Sequence, residues 1–151
     1  MTAPVNVHAT AIVIGTTGLL FIGPSGSGKS AVALHSIEEA RGRGLFAAMV
    51  SDDQVLVSEA NGRLISRAPK SIAGLVEVRG AGIVTVETIE AAVLHRAIRL
   101  MEAPFAERLP PGEERFEVLP DRFLPLTRLP LFTGATAFST LIAIHPELLH
   151  P

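Results

Sequence analysis

The chain has 151 residues, 48% of them hydrophobic, a formal net charge of −2 and no cysteine. That length supports one sizeable core and is short for two ordinary domains, and a near-balanced charge without a basic stripe argues against nucleic acid or an anionic membrane as partner. Disulfide and thiolate chemistry are excluded, the apolar runs are too short to span a bilayer, and the opening MTAPVNVHAT lacks the basic start and apolar core of a signal peptide. One cytoplasmic domain over residues 1–151, with no membrane partner, is the expectation.

In chain order, AIVIG and LLFIG, separated by Thr16-Thr17-Gly18, predict a hairpin that runs into a glycine-rich loop. One helix is expected from about Lys29 to Arg41, ended by Gly42 and Gly44. LFAAMVS, residues 45–51, reads as a buried strand that delivers Asp52 and Asp53 at its C-terminal end, where ligands sit in open α/β sheets. QVLVSEA and RLISRAP flank Asn61-Gly62, a strong hairpin signal. IAGLVEVRGAGIVTVE mixes apolar alternation with glycines. Residues 94–102 suit a helix or a strand, and Pro104 to Pro130 is proline-rich and charged, so it reads as irregular. The fold class is therefore α/β, a strand-rich mixed sheet with few helices.

The loop is GPSGSGKS, comprising Gly23, Pro24, Ser25, Gly26, Ser27, Gly28, Lys29 and Ser30. Its glycines let successive backbone N–H groups turn inward on a phosphate, and the helix starting near Lys29 adds the positive end of its dipole. Lys29 would reach the β- and γ-phosphates and the Ser30 hydroxyl would bind Mg²⁺. A plain glycine-serine turn is the alternative, and the strand–loop–helix order speaks against it.

Phosphate binding alone does not say whether a phosphoryl group moves. On a strand, neighbouring Asp52 and Asp53 would point in different directions, so one can serve Mg²⁺ while the other accepts a proton from an attacking hydroxyl; a solvated turn is the plainer alternative. Glu77 and Arg79, two apart in an apolar segment, would share a strand face. There the glutamate could complete the Mg²⁺ shell and the arginine could neutralise charge on the transferring group, unless the two form a structural ion pair. Gly80 and Gly82 would admit a close-lying ligand. His8, taken alone, reads as a surface residue, and His95, Arg96 and Arg99 read as a solvated face rather than a docking one.

HAT, GPSGSGKSAVAL, VSDDQV and EVRGAGIVTV, in that order and at these separations, resemble the catalytic domain of bacterial HPr kinase/phosphorylase, and the stretch from E-V-R-G to T-V is similar to that family's own signature. The resemblance runs from about His8 to Val86. It implies a P-loop-containing fold of the HPr kinase/PEP carboxykinase-like kind. It also implies an ATP- and Mg²⁺-dependent kinase for a serine of the phosphocarrier protein HPr or its nitrogen-related paralogue, with reverse phosphorolysis in many members and a hexameric assembly. By resemblance Lys29 grips phosphate, Ser30 and Glu77 are Mg²⁺ ligands, Asp53 exchanges the serine proton, Asp52 adjoins it, His8 assists the pair, and Arg79 belongs to the signature.

Two departures accompany the resemblance. The family's additional N-terminal domain has no counterpart ahead of His8, so a short form is expected. The family's arginine in a loop near the C-terminus is also missing, because the nearest match offers Gly134-Ala135-Thr136; Arg128 or another arginine would have to substitute, and the phosphorolysis half depends on it. Two other function classes stay open. One is a small-molecule kinase using Pro104–Pro130, with Arg108, Arg115 and Arg122, as a lid; the other is a nucleotide-binding regulatory module without kinase activity.

Overall fold

The computed structural model describes residues 2–102, 108–132 and 136–151. The chain begins with β1 (Val5–His8), β2 (Thr10–Ile14) and β3 (Thr17–Ile22), then the glycine-rich loop and α1 (Lys29–Gly42). β4 (Ala47–Ser51), β5 (Gln54–Ala60), β6 (Arg63–Arg67), β7 (Leu75–Val78), β8 (Gly82–Thr85), β9 (Ala91–Val93) and β10 (Arg96–Met101) follow. β11 (Glu114–Leu119), β12 (Arg122–Pro130), α2 (Ala137–Ile144) and a 3-10 turn, Pro146–Leu149, complete the chain. Three sheets result, with strand orders β11-β12-β10-β3-β2-β4, β1-β5-β6-β9 and β7-β8. The first is mixed: β10 runs parallel to both β3 and β12, whereas β2 is antiparallel to β3 and to β4.

The six-stranded sheet is apolar on both faces, and each face has its own core. Ile12, Ile14, Leu19, Phe21, Met49, Ile98 and Leu129 pack with Val32, Ala33 and Ile37 of α1 and Phe138 and Leu141 of α2. The alternate residues Ala11, Val13, Leu20, Ile22 and Ala97 pack with Val55 and Val57 of the four-stranded sheet. A strand covered on both sides carries a continuous apolar run rather than alternation, which is why AIVI and LLFI show no polar face.

The expected hairpin β2–β3, the helix α1 and the Asn61-Gly62 hairpin are all present. Asn61 and Gly62 both have positive φ, 52° and 76°, as a two-residue primed turn requires. The ambiguous stretch 94–102 is strand β10, held between two parallel neighbours with Ala97 and Ile98 fully buried. Reading Pro104–Pro130 as irregular is corrected for residues 114–119 and 122–130, which form the antiparallel pair β11–β12. The prolines sit where a missing N–H does little damage: Pro125 precedes Leu126, the first residue of β12 paired with β10, and Pro130 ends the strand. Part of that segment, 104–107, lies outside the described residues, as do 133–135 of the C-terminal loop that lacks an arginine.

Of the expected solvated face, His95 is exposed whereas Arg96 and Arg99 are half-buried, and His95 and Arg96 both have hydrogen-bond partners. His95 Nδ1 accepts from the Gly18 N–H at 2.9 Å, and Arg96 donates to Thr127 Oγ1 at 3.0 Å. Thr127 in turn meets His145 Nε2 at 2.7 Å, and His145 Nδ1 lies 3.0 Å from Glu147 Oε1. Burial, then the nearby Arg96 cation, push the His145 pKa below the usual imidazole value. A neutral ring suits these contacts, since it donates from Nδ1 to Glu147 and accepts at Nε2 from the Thr127 hydroxyl.

Gly18 marks the closest backbone approach in the sandwich: a Cβ there would stand 1.9 Å from the Val93 carbonyl oxygen. Only backbone could yield. Gly18→Ala is expected to destabilise by about 3 kcal/mol, lowering the melting temperature by roughly 5 °C or more. Thermal unfolding followed by circular dichroism checks this, and an unchanged melting temperature would disprove the contact.

Candidate functional site

β3 ends at Ile22 and the chain turns into the loop, with Gly28 as the N-cap of α1 at φ 97°. No side chain caps that helix end, so its first N–H groups face the cradle the glycines make. The Ser27 hydroxyl is buried without a partner among the described residues. Lys29 is buried, and its ammonium donates to the carbonyls of Gly23 at 2.9 Å and Pro24 at 3.1 Å. A cation, a helix N-terminus and a positive-φ glycine loop on one concave surface are the donor set a polyphosphate needs.

The two aspartates lie just past the end of β4 and diverge. Asp52 is buried, and its Oδ1 accepts from the Ser30 hydroxyl at 2.5 Å and the Thr10 hydroxyl at 3.0 Å. Asp53 is exposed, with its carboxylate 3.5 Å from His8 Nδ1. Strand alternation was the expected cause of the divergence; the actual cause is a turn in which Asp53 takes φ 66°, a conformation that aspartate tolerates better than most side chains.

His8 ends β1, opposite Gln54 in the antiparallel pair with β5, and the Ala9 N–H donates to the Asp53 carbonyl. These bonds hold the imidazole between the loop and the aspartate, with Nε2 3.4 Å from the Ser25 hydroxyl. His8 is a surface residue, its side chain 47% exposed, and it stands beside both the loop and Asp53.

Glu77 lies on β7, whose Val76 is buried in the core beneath α1. Arg79 lies just beyond the strand, in the turn to β8, so it does not share a strand face with Glu77 in the strict sense expected. Its guanidinium crosses to the loop, where a Cβ on Gly26 would come within 3.3 Å of it. No ion pair joins Glu77 and Arg79 among the described residues, and the structural-pair alternative has no support. Gly80 and Gly82 have positive φ, 87° and 110°, which forms the tight β7–β8 turn. Arg128, considered as a substitute cation, is held by Glu114 at 2.7 Å.

One cavity of about 420 Å³ gathers these groups, lined by Ser25, Gly26, Gly28, Lys29 and Ser30 of the loop, Asp52 and Asp53, and Glu77 and Arg79. Pro24 and Ser27 shape the loop and His8 flanks the opening, none of the three lining the cavity. Thr10 was missed. It is fully buried, donates to Asp52 and accepts from the Asp53 N–H at 3.3 Å. The signal was a lone hydroxyl at the head of an apolar strand, which must find a partner when buried. Among the described residues no cluster of three or more His, Asp or Glu side chains could hold a metal by itself, and no helix is long and apolar enough to cross a membrane. Ser30, Asp52 and Glu77 around a phosphate cradle do suit Mg²⁺, which is usually held by one or two carboxylates together with substrate phosphates and water.

The chain is 39% identical over 99 residues to the HPr kinase/phosphorylase of Clostridium beijerinckii, covering 64% of this chain and 31% of that one. It is 34% identical over 85 residues to the HPr kinase/phosphorylase of Mycoplasmopsis pulmonis, covering 56% and 26%. The chain thus spans about a third or less of the length of these curated relatives. The fold is similar to that of the Hpr(Ser) kinase/phosphatase from Coxiella burnetii, with a TM-score of 0.76 and 24% identity over 93% of this chain and 90% of that one. The family model described as the HPr Serine kinase C-terminal domain matches residues 1–101, and this chain belongs to that family.

Proposed function

We propose that the chain is a catalytic domain, residues 1–151, that transfers the γ-phosphoryl group of ATP, with Mg²⁺, to a serine of HPr or a nitrogen-related HPr paralogue. The observation that carries this reading is the pairing of a phosphate cradle with an exposed carboxylate. The Asp53 carboxylate points away from the buried Asp52–Ser30–Thr10 cluster, to which only its backbone N–H is tied, on the rim of the same cavity as Lys29. A module that only sensed nucleotide would have no use for a second, outward carboxylate held by a histidine. Family membership supports the same activity.

In this mechanism the loop N–H groups and Lys29 hold and orient the phosphates, and Arg79 balances the charge that spreads over the transferring group. Asp53 accepts the serine proton, with His8 keeping its carboxylate in place; in the reverse direction the same group returns a proton. Asp52 fixes the Ser30 hydroxyl. Ser30, Asp52 and Glu77 would hold Mg²⁺, which would supply neutralisation of phosphate charge.

Incubation with Mg²⁺-ATP and HPr-type carrier proteins, read by mass spectrometry of the acceptor, tests the proposal. A phosphoserine that disappears with Lys29→Ala is the expected result, with transfer lowered by about 10²-fold or more. Tight nucleotide binding without any acceptor phosphorylation would favour the regulatory module instead.

A further inference from the structure

The β7–β8 hairpin is the most exposed apolar element near the cavity. Every residue of β8 is exposed, Ile83 at 71%, and Leu75 on β7 is 37% exposed. Among the described residues, β7 is the only strand that pairs with β8, so its outer edge is open. A two-stranded sheet is marginal alone, and this one is secured from beneath by Val76, which is buried under α1. The opposite face carries the residues alternate to Val76. In the antiparallel register Glu77 faces Ile83 directly and Leu75 faces Thr85. Leu75 and Ile83 are therefore diagonal neighbours on the face that bears Glu77, close enough to form one apolar patch. Because Glu77 lines the cavity, this patch adjoins the place where phosphate chemistry occurs.

We infer that the Leu75–Ile83 patch is the docking surface for the protein acceptor, an aliphatic anchor that receives an apolar side chain beside the acceptor serine. The inference rests on the kinase reading above. Three features select this occupant. The Asp53 side chain is 60% exposed, so the accepting hydroxyl arrives from outside rather than by entering a closed pocket, as a protein-borne serine would. The patch shares a sheet face with the cavity-lining Glu77, so whatever rests on it lies at the edge of the cavity. A four-residue strand with two aliphatic side chains offers far less than the roughly 1,600 Å² of a standard stable interface. That small area suits a substrate that must leave after each turnover, and not a permanent contact between copies of this chain.

The test is steady-state phosphorylation of an HPr-type carrier by the wild-type chain, Ile83→Asp, Leu75→Ser and the conservative Ile83→Val. Nucleotide affinity and sedimentation are measured for each. Ile83→Asp is expected to raise KM for the carrier at least about tenfold, with kcat at saturating carrier and ATP affinity changed less than about twofold. Leu75→Ser should be intermediate and Ile83→Val near wild type. An unchanged carrier KM overturns the inference, as does a shift in sedimentation coefficient on Ile83→Asp, which would make the patch a contact between copies. If the wild-type chain phosphorylates no carrier, the kinase reading itself has failed, a result distinct from either.

Discussion

Asp53→Asn is expected to lower serine phosphorylation by about 10²- to 10⁴-fold, the range spanned by a positioned general base, while nucleotide affinity stays within about twofold. The separation follows from the geometry. Asp53 makes no bond to the phosphate loop, and its contacts are His8 at 3.5 Å and backbone bonds to Ala9 and Thr10. The carboxamide can adopt the same positive φ, since asparagine tolerates that conformation as well as aspartate does, so the turn survives. What is lost is a group able to take the hydroxyl proton. Nucleotide titration and initial rates on the same preparation check the split, and wild-type turnover in Asp53→Asn would remove this residue from the proton transfer.

Arg79→Ala carries the second large effect, a fall in kcat of about 10³-fold, in keeping with arginines that stabilise a transferring phosphoryl group. Arg79 is exposed and lies against the loop at Gly26, so its removal leaves no core cavity and should not alter the melting temperature appreciably. The effect should be large in this chain because Arg128 is engaged by Glu114 and no arginine occurs at residues 133–136. Arg79→Lys is expected to recover little, since an ammonium cannot reproduce the planar fork of donors that bridges phosphate oxygens. Forward transfer and phosphate-driven reversal should fall together, because both pass through the same charge distribution. A loss below tenfold in both directions would place the neutralising cation elsewhere.

Local features were legible from the residues. The strand–loop–helix around Lys29 and the Asn61-Gly62 turn are encoded within a few residues, because glycine, asparagine and an apolar run each limit the backbone at their own position. The candidate site residues could be named for a similar reason: phosphate loops, adjacent aspartates and the E-V-R-G segment are short patterns with narrow chemical uses. By itself the sequence determined a glycine-rich strand–loop–helix, which residue types stand ready around it, and a strand-rich fold with few helices; it did not show that the site draws on three separate sheets.

Only the tertiary structure decided how they meet. Residues 94–102 carry no periodicity that separates helix from strand, because β10 is buried on both faces and its identity comes from parallel partners β3 and β12 that are remote in sequence. β11 and β12 were hidden by prolines whose missing N–H groups matter only once strand register is known. The turn at Asp53, the bridge from Thr10 to both aspartates and the reach of Arg79 to Gly26 are likewise non-local, since each joins segments far apart along the chain that share a site only after the sheet has formed. Short-range pattern specifies the chemistry available, while strand order and register, set by burying two cores at once, specify which groups stand within reach of one another.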